Sequence, residues 1–227
     1  MRWNVAGRSE HTSNSHGIAE RGSALCGAMS VVLLVVGTVL SDNAGRGLHP
    51  GQTPEELAAG FAEHADQNRV GAALLGVAAV LGLIFLGPLW ARLHTGSPWL
   101  AMVAVCGGVA GVAGTLVVAA FVIGGTTAGE YGDGQTARMV LIMQWDTARV
   151  AVPPFLATVA AATLAGFRYG VFDRAFCWFS LVFTVLLTAA LVPVGPAGLM
   201  GVAGGLWIVV ASLVLTFESS GQLAADD

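Results

Sequence analysis

Residues 144–154, QWDTARVAVPP, set an acid and a base three positions apart and follow them with two prolines, directly ahead of the apolar run FLATVAAATLAG (155–166). Whether these ions belong to a soluble helix or to one that crosses a membrane decides the fold, and the surrounding chain answers. Of its 227 residues 55% are hydrophobic and only 11% charged, with a mean hydropathy of +0.74. A soluble domain carries about 25% charged residues. The charge present here is too sparse to coat a water-facing surface, and a bilayer is the solvent that suits it.

Working outward, six apolar segments are long enough to cross ~30 Å of hydrocarbon as helices of about 20 residues. They are 24–41, 70–91, 99–123, 139–167, 175–193 and 197–217. The predicted fold is all-α: a polytopic bundle of six transmembrane helices over 24–217. A polar tail at 1–23, read as disordered and cytoplasmic, precedes it, and a short acidic tail at 218–227 follows. ALCGAMSVVLLVVGTVL (24–40) is too long for a cleavable signal core and runs into SDNAG without a small-x-small site, so it is read as a span.

Arginine supplies all the basic charge and sets the orientation. Arg2, Arg8, Arg21, Arg92, Arg168 and Arg174 fall on one side of the six-span plan, Arg46, Arg69 and Arg138 on the other. That asymmetry predicts a multi-pass plasma-membrane protein with both termini in the cytoplasm. Trp90, Trp99, Tyr169 and Trp178 flank the inner connections as an aromatic belt would.

The first outer connection carries its own helix signal. In TPEELAAGFAEHADQNR (53–69), Thr53 and Glu56 have capping-box spacing, Pro54 suits a first helical position, and Leu57, Phe61 and Ala65 recur every four residues. A short amphipathic helix lying on or entering the membrane is expected. The next outer connection, GGTTAGEYGDGQTA (124–137), reads as a mobile glycine-rich loop, and VPVGPAG (192–198) as a tight turn between the last two spans.

Asp146 and Arg149 share a helix face and can pair. At mid-bilayer each ion costs about 2.5–3.5 kcal/mol, against 0.3–0.6 returned by each Leu, Ile, Phe or Val. Counting back about 20 residues from the inner anchor Arg168 puts the pair near the outer interface, where the penalty is smaller. Pro153 and Pro154 remove two amide donors and predict a kink that frees carbonyls near residues 149 and 150. The pair has two available roles: to fix helix register at the kink, or to respond to protons or a ligand from an outer cavity.

Other chemistry has little to work with. A net charge of −4 with no basic stripe argues against nucleic acid as a partner. His11, His16, His49, His64 and His94 all lie outside the spans, so no haem is expected, and no other cofactor is implied. Glu63, His64 and Asp66 read as a solvated helix face, and Met29, Met102, Met139 and Met143 as packing. Cys26, Cys106 and Cys177 each sit in apolar surroundings and behave as small hydrophobes. Neither HExxH nor GxSxG occurs, and the expectation is a protein that is not an enzyme.

The expected partners are the lipid bilayer and, through small-xxx-small faces, another protein or a second copy. Gly107 and Gly111 form one such face, and Ala197, Gly201 and Gly205 another. TPEELAAGFAEHADQNRVGAALLG (53–76), VPPFLATVAAATLAG (152–166) and YGVFDRAFCWFSLVFTVLLTAALVP (169–193), taken in order behind a polar tail, resemble a group of six-span membrane proteins common in actinobacteria. The resemblance covers 24–217 and implies the topology. The group has no assigned reaction, so no catalytic residue comes with it. The functional expectation is an accessory, lipid- or stress-responsive membrane module; the alternative is a small proton-coupled transporter using Asp146.

Overall fold

A computed structural model describes residues 9–41, 48–190 and 197–223, with side chains between 22 and 217 apart from 42–47, 148 and 190–203. The VPVGPAG turn, Arg2, Arg8, Arg21 and Arg46 fall wholly or largely outside what is described. Among the described residues the regular structure is entirely α-helical. The helices are α1 (Ser9–Leu40), α2 (Pro54–Glu63), α3 (Ala65–Gly96), α4 (Pro98–Glu130), α5 (Gly134–Val150), α6 (Val152–Tyr169), α7 (Arg174–Ala190) and α8 (Ala197–Leu223). Helix α1 starts well inside the polar stretch expected to be disordered.

Four stretches are long and apolar enough to cross a membrane: Gly22–Leu40, Ala65–Gly96, Pro98–Glu130 and the α5–α6 rod Gly134–Tyr169. They mark a multi-pass membrane protein. The expectation of six spans is corrected to four long apolar stretches and two shorter ones, Arg174–Ala189 in α7 and, among the described side chains, Gly204–Phe217 in α8. The sixteen residues of the α7 stretch reach only about 24 Å at 1.5 Å each, less than the ~30 Å of hydrocarbon.

Local sequence explains where the helices begin and end. The capping box at Thr53 is formed in both directions: the Glu56 amide donates to the Thr53 hydroxyl at 3.3 Å and the Thr53 amide to the Glu56 carboxylate at 3.0 Å. Ser97 caps α4, with Pro98 in its first turn. Gly170 ends α6 at φ +65°, a left-handed conformation natural to glycine.

The larger core lies among α1, α3, α4, α6, α7 and α8 and centres on Leu89, Leu93, Val159, Leu187 and Trp207, all buried. Interhelical hydrogen bonds knit it together. Thr158 donates to the Ala104 carbonyl at 2.9 Å, and the Trp207 indole to the Ser180 hydroxyl at 2.9 Å. Gly107 allows α4 to lie directly on Pro154 and Thr158 of α6, so this small-residue face is already filled from within the chain. Gly205 likewise faces Val31 of α1, while Ala197 and Gly201 lie outside the described side chains.

Helices α3 and α4 have 32 and 33 residues, and the α5–α6 rod has 36. At 1.5 Å per residue they reach roughly 50 Å, some 20 Å beyond the hydrocarbon thickness. The excess gathers at one end into a second core of Leu48, Leu57, Phe61, Ala128, Ala137 and Leu141, with Trp145 against it. This end is called the crown. Its existence corrects two expectations. The apolar face of α2 is taken up by α4 and α5 and does not rest on lipid, and much of the supposed glycine loop 124–137 is helix, in which Gly125 admits the Phe61 ring and Gly129 the α2 backbone at Ala58 and Ala62. At the opposite, basic end, Trp90, Trp99, Tyr169 and Trp178 are exposed near Arg92, Arg168 and Arg174.

Candidate functional site

Helix α5 is fastened by its first turn. The Asp133 carboxylate accepts the Thr136 hydroxyl at 2.6 Å and the Thr136 amide at 3.0 Å. Those bonds, the hydroxyl's foremost, hold the Asp133 carboxyl below its ordinary value. Gly134 lies against the backbone of Pro54, where a side chain has no room. From there Ala137, Leu141 and Trp145, each four residues on, carry α5 into the crown core.

The other face of α5 looks outward. Met139 is 58% exposed, Ile142 41%, Met143 39% and Val150 71%. Asp146 and Arg149 sit among them, 3.9 Å apart, with their side chains about two-thirds exposed, at 66% and 64%. At that separation the contact is longer than a hydrogen bond. A pair this exposed stabilises the fold by about 0–1 kcal/mol, too little to explain two ions beside apolar side chains.

Helix α5 ends at Ala151, whose amide donates to the Thr147 carbonyl at 3.0 Å. Pro153 and Pro154 then occupy the first turn of α6, where amides have no partner within the helix, so neither proline removes a bond there. The Asp146–Arg149 pair therefore stands on the crown side of the break. Arg149 and Asp146 precede Arg168 by 19 and 22 positions, which is roughly 29 and 33 Å of helix at 1.5 Å per residue. Met143, Ile142 and Met139 lie farther still from the basic end.

Two other hollows are present. On the crown, Glu63, His64, Asp66, Gln67 and Glu130 border an open dish of about 440 Å³. Arg69 pairs there with Glu130 and lies 3.7 Å from Asp66, and the His64 Nδ1 is 3.1 Å from the Gly60 carbonyl. Among the described residues no three His, Cys, Asp or Glu side chains converge as a metal site. Near the basic end, Leu83, Leu86, Gly87, Trp90, Val105 and Val109 border an apolar groove of about 360 Å³. Neither hollow is lined by Asp146 or Arg149.

Met29, Met102 and Met139, read as packing, are more than half exposed in the chain by itself, and Met143 less so. The boundary between α5 and α6 escaped sequence reasoning because 139–167 reads as one continuous span, in which outward Met and Ile would simply face lipid. Polar residues were the available signal: Gln135, Arg138, Gln144, Asp146, Thr147 and Arg149 crowd α5, whereas α6 has only threonines before Arg168. No protein-family model matches the chain, and no curated protein or solved structure is significantly similar to it.

Proposed function

We propose that the chain is a non-enzymatic membrane module that works by docking another protein against α5. In this reading α1, α3, α4 and α6 thread the plasma membrane, the shorter apolar stretches of α7 and α8 pack beside them within it, both termini are cytoplasmic, and the crown stands on the outer side. The cluster of Arg92, Arg168 and Arg174 among exposed aromatics supports that orientation. The kinship with the actinobacterial six-span group is part of the same proposal.

One observation carries the docking function: the order of residues along the outward face of α5. On a helix crossing lipid, apolar side chains lie inside the bilayer and ions at its edge. Counted from Arg168, Arg149 and Asp146 lie about one hydrocarbon thickness away along the rod, and Met143, Ile142 and Met139 lie farther still, which supports a position for them beyond the acyl chains. Water-exposed apolar side chains rimmed by ions have the character of a protein contact. Proton-coupled transport through Asp146 calls for a carboxylate facing an internal path, and this one faces outward.

A photo-crosslinking residue at Ile142 in living cells tests the idea. The expected product is a discrete protein adduct, with only lipid adducts from the same probe at Val182 on the exposed side of α7. Lipid adducts alone at Ile142 would refute docking at α5.

A further inference from the structure

We infer that the apolar groove between α3 and α4 is a phospholipid site, in which one acyl chain of an anionic lipid lies along the groove and its phosphate sits at the Arg92–His94 step. The site requires that α3 and α4 cross the membrane with their basic end at the inner headgroups, as proposed above. It stands whatever docks against α5.

Depth points to a lipid. Leu83, Leu86, Gly87 and Trp90 share one face of α3, and Val105 and Val109 border the groove from α4. Leu83 precedes Arg92 by nine residues and Val109 follows Pro98 by eleven, about 14 and 17 Å of helix. Both lengths match half of the ~30 Å hydrocarbon, so the groove opens at the headgroups and ends near mid-bilayer. That is the depth of a single leaflet, whereas a protein helix seated there would run on through the outer half. Glycines shape the hollow: Gly108 lets Leu86 lie against α4 as a floor, and a Cβ at Gly87 would meet nothing within 4 Å.

Charge selects the headgroup. No acid occurs between Asp66 and Glu130, so at this end α3 and α4 present Arg92 and His94 alone. Tyr169 and Val171 lie against Gly96, and their connection adds Arg168 and Arg174 against the single acid Asp173. The Trp90 ring borders the groove and stacks at 4.8 Å on the ring of His94, which joins the path of the acyl chain to a donor above it. Guanidinium and imidazole groups at headgroup height suit a phosphate, and a choline would set a cation over the same arginine.

Native mass spectrometry of the full-length protein in mild detergent, titrated with dioleoyl phosphatidylglycerol or dioleoyl phosphatidylcholine, reads both parts of the site. Phosphatidylglycerol should be retained about ten-fold better than phosphatidylcholine. Gly87→Phe and Val109→Trp each place a ring in the groove and should each lose about ten-fold in phosphatidylglycerol retention. The double variant Arg92→Gln, His94→Gln should bring the two lipids to parity. Val182→Phe, on the exposed side of α7, should leave both unchanged. Melting temperatures close to wild type qualify each variant as folded. In the unaltered protein, phosphatidylglycerol with a diazirine in its acyl chain should label residues 83–90 and 105–109, and excess phosphatidylglycerol but not phosphatidylcholine should compete that label away.

Equal retention of the two lipids by the wild-type chain would overturn the proposal, as would folded groove-filling variants that hold phosphatidylglycerol like wild type. Groove labelling that phosphatidylcholine suppresses equally well would do the same without any variant. None of these results alters the expected adduct at Ile142, so the groove and the docking face stand or fall separately.

Discussion

Replacing Phe61 with alanine is expected to release the crown while leaving the apolar bundle assembled. Phe61 is completely buried; its ring fills the space that Gly125 leaves on α4, and its Cβ lies against Gly129. Truncating a core Phe costs about 3–5 kcal/mol in a water-facing domain. The crown has only a small core around Leu48, Leu57, Leu141 and Phe61 to meet that loss. Amide hydrogen exchange in lipid nanodiscs should therefore show protection falling across α2 and the first three turns of α5, with α7 unchanged.

Gly125→Leu approaches the same contact from the other side, since a Cβ there already meets the Phe61 ring at 2.7 Å, and should give the same exchange pattern. Because the crown holds the inner face of α5, both variants should also abolish the adduct at Ile142. Unchanged protection of α2 in the Phe61→Ala protein would mean that something other than this core holds the crown.

The crown was only half legible in the sequence. Helix α2 could be read locally, because the capping box at Thr53 and the spacing of Leu57 and Phe61 are signals within one turn or two. What that helix packs against could not. Periodicity identifies an apolar face but not the surface that receives it, and both lipid and α4 were candidates. The glycines of 124–137 misled for the same reason. Glycine lowers helix propensity, yet at Gly125 and Gly129 its use is steric, and only the position of Phe61, more than sixty residues earlier, reveals it. The depth of Asp146 and Arg149 could be estimated by counting from Arg168. Which way they face depends on how α5 rotates when Ala137, Leu141 and Trp145 turn inward, and that is a tertiary matter.

The apolar bundle makes the second large prediction, and here lipid changes the arithmetic. Trp207 is fully buried, donates its indole N–H to Ser180, and packs edge-on against Phe155 with ring centroids 6.0 Å apart. Acyl chains are as apolar as the core, so removing the side chain forfeits little transfer energy, and the loss comes from packing. At about 24 cal/mol per Å³ of cavity, an unfilled indole space costs on the order of 3 kcal/mol. Trp207→Ala should therefore lower the thermal midpoint in detergent, followed by circular dichroism, by many degrees.

Trp207→Phe keeps an aromatic ring beside Phe155 and Phe176 and loses chiefly the bond to Ser180, of a kind that averages about 0.6 kcal/mol between membrane helices. Its midpoint should fall by only a small fraction of the Ala shift, and Ser180→Ala should fall with it. If Phe and Ala prove equally damaging, the hydrogen bond rather than the packed ring holds α7 to α8. In either case exchange protection in α2 should remain at the wild-type level, because the crown and the bundle have separate cores.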